Sequence, residues 1–131
     1  MSVAPGDLGD ERRAAIRDFY GTIFGWREMG GLSNEARMTI AIGPGCYINI
    51  REHEDHQDLS YEHFGVLVDS ADEVRRLWDE VHRAGVSLEP LESPPKGQPS
   101  FRFRHLLPMA IEVQYFSDAE MRYFSDAEMQ Y

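Results

Sequence analysis

The sequence has little positive charge, a single cysteine and no long apolar run, and each shortage narrows what the chain can be. Lys and Arg number 13 against 23 Asp and Glu, for a formal net charge of −10. That balance argues against nucleic acid as a partner, because phosphate binding draws on clustered basic residues. A cationic ligand is compatible with it, and the simpler reading is that the acids solvate the surface. No stretch approaches the roughly eighteen apolar residues of a membrane helix. The opening Met1-Ser2-Val3-Ala4-Pro5-Gly6-Asp7 has neither the basic start nor the apolar stretch of a signal peptide. The expectation is a soluble, cytoplasmic protein without a membrane partner. Cys46 alone cannot form an internal disulfide, and its place in Cys46-Tyr47-Ile48-Asn49-Ile50 predicts a buried thiol in preference to a nucleophile. With 131 residues, 42% of them hydrophobic, the chain can bury one core and is read as one domain.

What is present is organised by periodicity. Ile16, Phe19, Tyr20, Ile23 and Phe24 recur at helical spacing after Asp10, with Gly25 as the stop. Ser70-Ala71-Asp72-Glu73 has the form of a capping box, followed by Val74, Leu77, Trp78 and Val81 on one face and Gly85 at the end. Strands are predicted over 38–42 and 46–51, joined through Gly43-Pro44-Gly45, and again over 86–89, 101–105 and 109–116. The last group is interrupted by the loop Ser93-Pro94-Pro95-Lys96-Gly97-Gln98-Pro99.

The two halves overlay on each other. Asp7 falls on Asp69, Asp10 on Asp72, Glu11 on Glu73 and Arg13 on Arg75 with one offset, and Gly25 falls on Gly85 after a shift of two residues. Met1 then falls on His63, and after a small further shift Asn49 falls on Glu112. Each half reads strand, helix, strand, strand, strand. Module one spans 1–52, a linker 53–60, module two 61–116, and a tail 117–131 follows. A lone βαβββ unit leaves one sheet face bare, so two must combine to cover it. The expected fold is α+β.

These residues resemble the glyoxalase, bleomycin-resistance protein and extradiol dioxygenase superfamily, the vicinal oxygen chelate proteins. The resemblance spans most of 1–116 and is carried by Ile16-Arg17-Asp18-Phe19-Tyr20 leading to Phe24-Gly25-Trp26, by His63-Phe64-Gly65-Val66-Leu67-Val68-Asp69, and by Ile111-Glu112-Val113. It implies a U-shaped sheet with both helices outside, a small-molecule pocket in the trough and one divalent metal (Zn, Fe, Mn or Ni) held from the first and last strands of each half. The metal positions fall on Met1, Asn49, His63 and Glu112. Only His63 and Glu112 are ordinary ligands, since a thioether is soft and an amide oxygen weak, so the site reads as partly dismantled.

Alternation refines the pocket. Ala110, Glu112 and Gln114 share one strand face, with Ile111 and Val113 on the other. Tyr47, Asn49 and Arg51 are likewise expected in the trough, with Cys46, Ile48 and Ile50 under the helices. A carboxylate at Glu112 among apolar neighbours needs a metal, an arginine or a hydrogen-bonded ligand to offset its desolvation. Without a metal, Arg102 or Arg104, which alternate with Phe101 and Phe103, supplies the cation. The ligand-binding set is therefore Tyr47, Asn49, Arg51, Arg102, Arg104 and Gln114. His53-Glu54-Asp55-His56 lies in a charged linker and is assigned no site role. His105-Leu106-Leu107-Pro108-Met109 places apolar surface at the pocket end, fit for a hydrophobic ligand or for the subunit contact of a homodimer. The tail repeats Tyr115-Phe116-Ser117-Asp118-Ala119-Glu120-Met121 as Tyr123-Phe124-Ser125-Asp126-Ala127-Glu128-Met129, with Ser117 and Glu120 as a capping box for a short helix. Three functions fit these residues: a small-molecule-binding protein of the resistance type, a metal-dependent lyase, isomerase or dioxygenase, and a non-catalytic structural dimer.

Overall fold

The computed structural model describes residues 1–91 and 98–128, with side chains described as far as residue 123. Residues 93–97 of the expected Pro/Gly-rich loop and residues 129–131 of the tail lie outside that description. The elements run β1 (Ser2–Val3), α1 (Asp10–Phe24), β2 (Arg27–Glu28), a 3-10 turn (Gly30–Leu32), β3 (Arg37–Gly43), β4 (Cys46–Glu52), β5 (His63–Leu67), α2 (Ala71–Arg83), β6 (Ser100–Phe103), β7 (Ala110–Gln114) and α3 (Asp118–Glu128). The sheets order as β1-β4-β3-β2 and β5-β7-β6. The class is α+β, as expected. The chain divides into two compact units. Unit 1 comprises Met1–His63 with Arg104–Ala110, and unit 2 comprises Phe64–Phe103 with Ile111–Tyr131.

In unit 1, β1 runs parallel to β4, with Ser2 opposite Arg51, while β3 and β4 form an antiparallel hairpin closed by Gly45 at φ +71°. Alternation is obeyed: Met38 and Ile50 are register partners and fully buried, whereas Tyr47 is 57% exposed. Helix α1 presses Ile16, Tyr20 and Ile23 into the core. Asp10 and Glu11 sit in its first turn, where the helix dipole favours acids. It ends in an αL motif. Gly25, at φ +72°, donates to the Gly21 carbonyl, and the Trp26 amide donates to that of Tyr20. Tyr20 stacks on Trp26, with ring centroids 4.9 Å apart.

In unit 2, Ser70 Oγ accepts the Glu73 amide at 3.1 Å, and Val74, Leu77 and Val81 form the buried stripe of α2. β6 and β7 pair antiparallel with Arg102 opposite Glu112. Phe101, Phe103, Ile111 and Val113 fill the buried face.

Several expectations need correction. Residues 86–89 form no strand: Val86 is buried, but the Glu89 carbonyl accepts the Trp78 indole N–H at 3.1 Å in place of a ladder bond. The second half therefore reads strand, helix, strand, strand. Cys46 is exposed, because it directly follows the hairpin turn at the outer end of β4. Leu107 is buried within unit 1. Arg12 fixes this segment by donating to the Leu106 carbonyl through Nε at 3.1 Å and Nη2 at 2.7 Å, while the Tyr20 hydroxyl donates to the His105 carbonyl at 2.5 Å. The apolar surface expected at 105–109 is thus partly spent inside the unit. The tail opens with the expected reciprocal capping box, Ser117 with Glu120. Its helix then runs to Glu128, so residues 123–128 of the second copy lie within the helix that the first copy caps.

Candidate functional site

The polar face of unit 2 is built on β6 and β7. Arg102 and Glu112 are register partners, and the guanidinium holds the carboxylate at 2.7 Å. Glu112 is 20% exposed and Arg102 52%, so the pair is half-solvated. Glu112 therefore takes the arginine partner that its setting calls for. A cavity of about 280 Å³ adjoins this pair, lined by both residues with Leu88, Glu89, Ser100 and Phe101. Gln114 follows Glu112 on the same face and is half-buried, and its carbonyl accepts the Val68 amide.

Unit 1 carries the other predicted positions. Met1 and Asn49 meet on adjacent strands, where the Met1 nitrogen donates to the Asn49 carbonyl at 2.9 Å. The Asn49 side-chain oxygen accepts the Thr39 hydroxyl at 2.5 Å. Burial lowers the Met1 amine from its ordinary value, and the Arg51 charge adds to the effect. Arg51 is exposed on β4 and His63 opens β5.

Two adjoining clefts in unit 1 share Ser2, Gln57 and Leu59. One, of about 350 Å³, adds Met1, Arg51 and His53. The other, of about 300 Å³, adds Asp7, Arg12, His56, Asp58 and Arg104 among its lining residues. Hydrogen bonds from the Ser60 amide and hydroxyl hold the Asp58 carboxyl below its usual range, with a further contribution from the Arg104 charge. Burial lowers His105, whose ring packs edge-on to Phe19 at 4.6 Å. The linker histidines His53 and His56 were assigned no role from sequence, yet both line clefts. The signal absent from the sequence is the fold-back that places them: the His53 amide donates to the Val3 carbonyl at 2.9 Å, extending the β1 edge.

The donor sets can be tested against a divalent ion. Among the described residues, neither unit gathers three or more His, Cys, Asp or Glu side chains as a metal centre needs. Of the four predicted positions, unit 1 holds a thioether at Met1, the Asn49 amide already engaged by Thr39 and the His63 imidazole. Unit 2 holds the Glu112 carboxylate, paired with an arginine. Within each unit these residues do not fit a divalent metal, and no chemistry is derived through one.

The chain has the fold of the glyoxalase, bleomycin-resistance and dioxygenase proteins. Among solved structures it is similar to the fosfomycin resistance protein FosX from Listeria monocytogenes, with 20% identity, TM-score 0.65, and 92% of this chain and 91% of that one covered. A glyoxylase/bleomycin resistance protein/dioxygenase domain from Frankia sp. EAN1pec matches with 19% identity and TM-score 0.63 over 94% and 92% of the two chains. Lactoylglutathione lyase from Agrobacterium tumefaciens matches with 19% identity and TM-score 0.64 over 88% and 91%. A further FosX structure is complexed with Mn(II) and sulfate. At these identities the likeness establishes the fold. No family model matches the sequence, and no curated protein matches it.

Proposed function

We propose that the chain is a small-molecule-binding protein of the glyoxalase/bleomycin-resistance kind, in which polar side chains on the sheet faces hold the ligand and no resident metal is required. The observation that carries this reading is the Arg102–Glu112 pair. A carboxylate that a metal would use is balanced instead by a guanidinium, beside a cavity of small-molecule size. In unit 2 this polar face carries Arg102, Glu112 and Gln114; Tyr47, Asn49, Arg51 and Arg104 are the candidates within unit 1. Association of two copies belongs to the same reading and is supported by large apolar side chains left exposed, among them Tyr47 and Leu67.

A second reading, a divalent-metal-dependent lyase, isomerase or dioxygenase using His63 and Glu112, is favoured by the Mn(II) bound to FosX on the same fold. Thermal-shift titration with a small-molecule set that includes fosfomycin, in buffer containing a chelator, separates the two. The binding reading expects at least one compound to raise the melting temperature, and Glu112→Gln to weaken that effect. Stabilisation that always requires added Mn(II) would reverse the choice.

A further inference from the structure

The larger cleft of unit 1 has a charge balance opposite to that of the chain. Its lining residues Met1, Ser2, Arg51, His53, Gln57 and Leu59 include no carboxylate, although acids outnumber bases 23 to 13 in the whole sequence. Ser2 and Arg51 are register partners across β1 and β4, so their side chains stand on one face. The next partner in that row, across β3, is Arg37. Guanidinium groups directly opposite each other repel, and such pairs weaken a sheet unless something offsets them. Arg37 turns its Nε to the Leu32 carbonyl at 3.0 Å. Among the described residues the Arg51 side chain makes no hydrogen bond or ion pair. His53 Nδ1 accepts the Asp55 amide at 3.0 Å, which leaves Nε2 to carry the proton of the neutral ring and act as a donor. Ser2 Oγ accepts the Gln57 amide at 3.3 Å, so the hydroxyl hydrogen remains available.

We infer that this cleft binds the oxyanion headgroup of a small molecule, a carboxylate or phosphoryl group. Arg51 supplies the charge, and Ser2, His53 and Gln57 supply hydrogen-bond donors. The Arg51 guanidinium can grip two oxygens of an anion seated here at once. The inference deepens the binding reading and rests on it in one respect, that the protein takes a small-molecule ligand. It involves neither Glu112 nor a metal.

Nitrogen-15-labelled full-length protein titrated with inorganic phosphate, and separately with acetate, tests it through the amides of Ser2, Arg51, His53 and Gln57. Saturable shifts confined to those amides are expected at millimolar concentration. Arg51→Gln should weaken them about tenfold or more, the loss of a charge-assisted contact. Arg75→Gln, which removes an exposed arginine paired with Asp72 on α2, should leave them unchanged. Saturation by phosphate alone assigns a phosphoryl group, by acetate alone a carboxylate, and by both a general oxyanion site. Non-saturating shifts spread over the surface, or equal weakening in the two variants, would overturn the inference. Arg51 is exposed, and amides away from the cleft report directly that the variant keeps its fold. If both anions fail while a ligand found in chelator still depends on Glu112, the headgroup assignment falls and the binding reading stands.

Discussion

Tyr20→Phe removes one oxygen from the centre of unit 1 and should be felt in two ways. Tyr20 is 1% exposed, and its hydroxyl donates to the His105 carbonyl, which helps tie 104–110, and with it Arg104, to α1. Phenylalanine keeps the ring and its stacking on Trp26 but leaves a part-buried carbonyl without that donor. The cost should be about 2 kcal/mol, within the range for such a loss, which for a chain of this size lowers the melting temperature by roughly 6–10 °C. The second effect is alkaline. Burial raises the Tyr20 hydroxyl well above its ordinary value, so the neutral form is favoured in the folded state. A raised pKa contributes stability that is complete below the unfolded-state value of about 10 and is lost as pH climbs toward the folded-state value; by pH ~11 the loss is about 1.4 kcal/mol. Urea denaturation of wild type and variant across that window measures both. The wild type should lose this increment on alkalinisation, and Tyr20→Phe should lack it while starting lower. Equal stability at neutral pH with parallel alkaline limbs would refute the anchoring role of Tyr20.

Two further outcomes test other parts of the structure. Ser70→Ala removes the side-chain acceptor for the Glu73 amide and should cost about 1 kcal/mol in thermal unfolding, with Ser70→Thr largely neutral. Light scattering at micromolar concentration should give the mass of two chains, and a monomer would remove association from the functional reading.

Much of this structure was legible because the local signals agree with the tertiary demand. The N-cap at Ser70, the glycine stop at Gly25 and the alternation at 110–114 all read correctly, since each couples a backbone requirement to a buried stripe; the carboxylate of Glu73 turns to Arg76 in place of closing the box. The Arg102–Glu112 partnership was one of two arginine choices that alternation allowed, and register settled it. Other features depend on contacts that no local pattern encodes. Val86 to Glu89 carries the apolar content of a strand, yet a tryptophan N–H takes the backbone group a ladder would need. Cys46 looks apolar by its neighbours but directly follows a turn, at the hairpin's end. Leu107 looks exposed until Arg12, from a helix far back in sequence, pins the preceding carbonyl. The histidines at 53 and 56 gain a place in clefts only through the fold-back of the linker along β1.

The central claim is that polar side chains, and not a resident metal, organise the binding face. Elemental analysis of untagged full-length protein, purified without chelator and dialysed against metal-free buffer, tests it most directly. The account predicts Zn, Fe, Mn and Ni all far below one equivalent per chain, with no change in Glu112→Gln. One equivalent of any of these metals, lost on Glu112→Gln or His63→Gln, would contradict it and establish the metal-dependent reading.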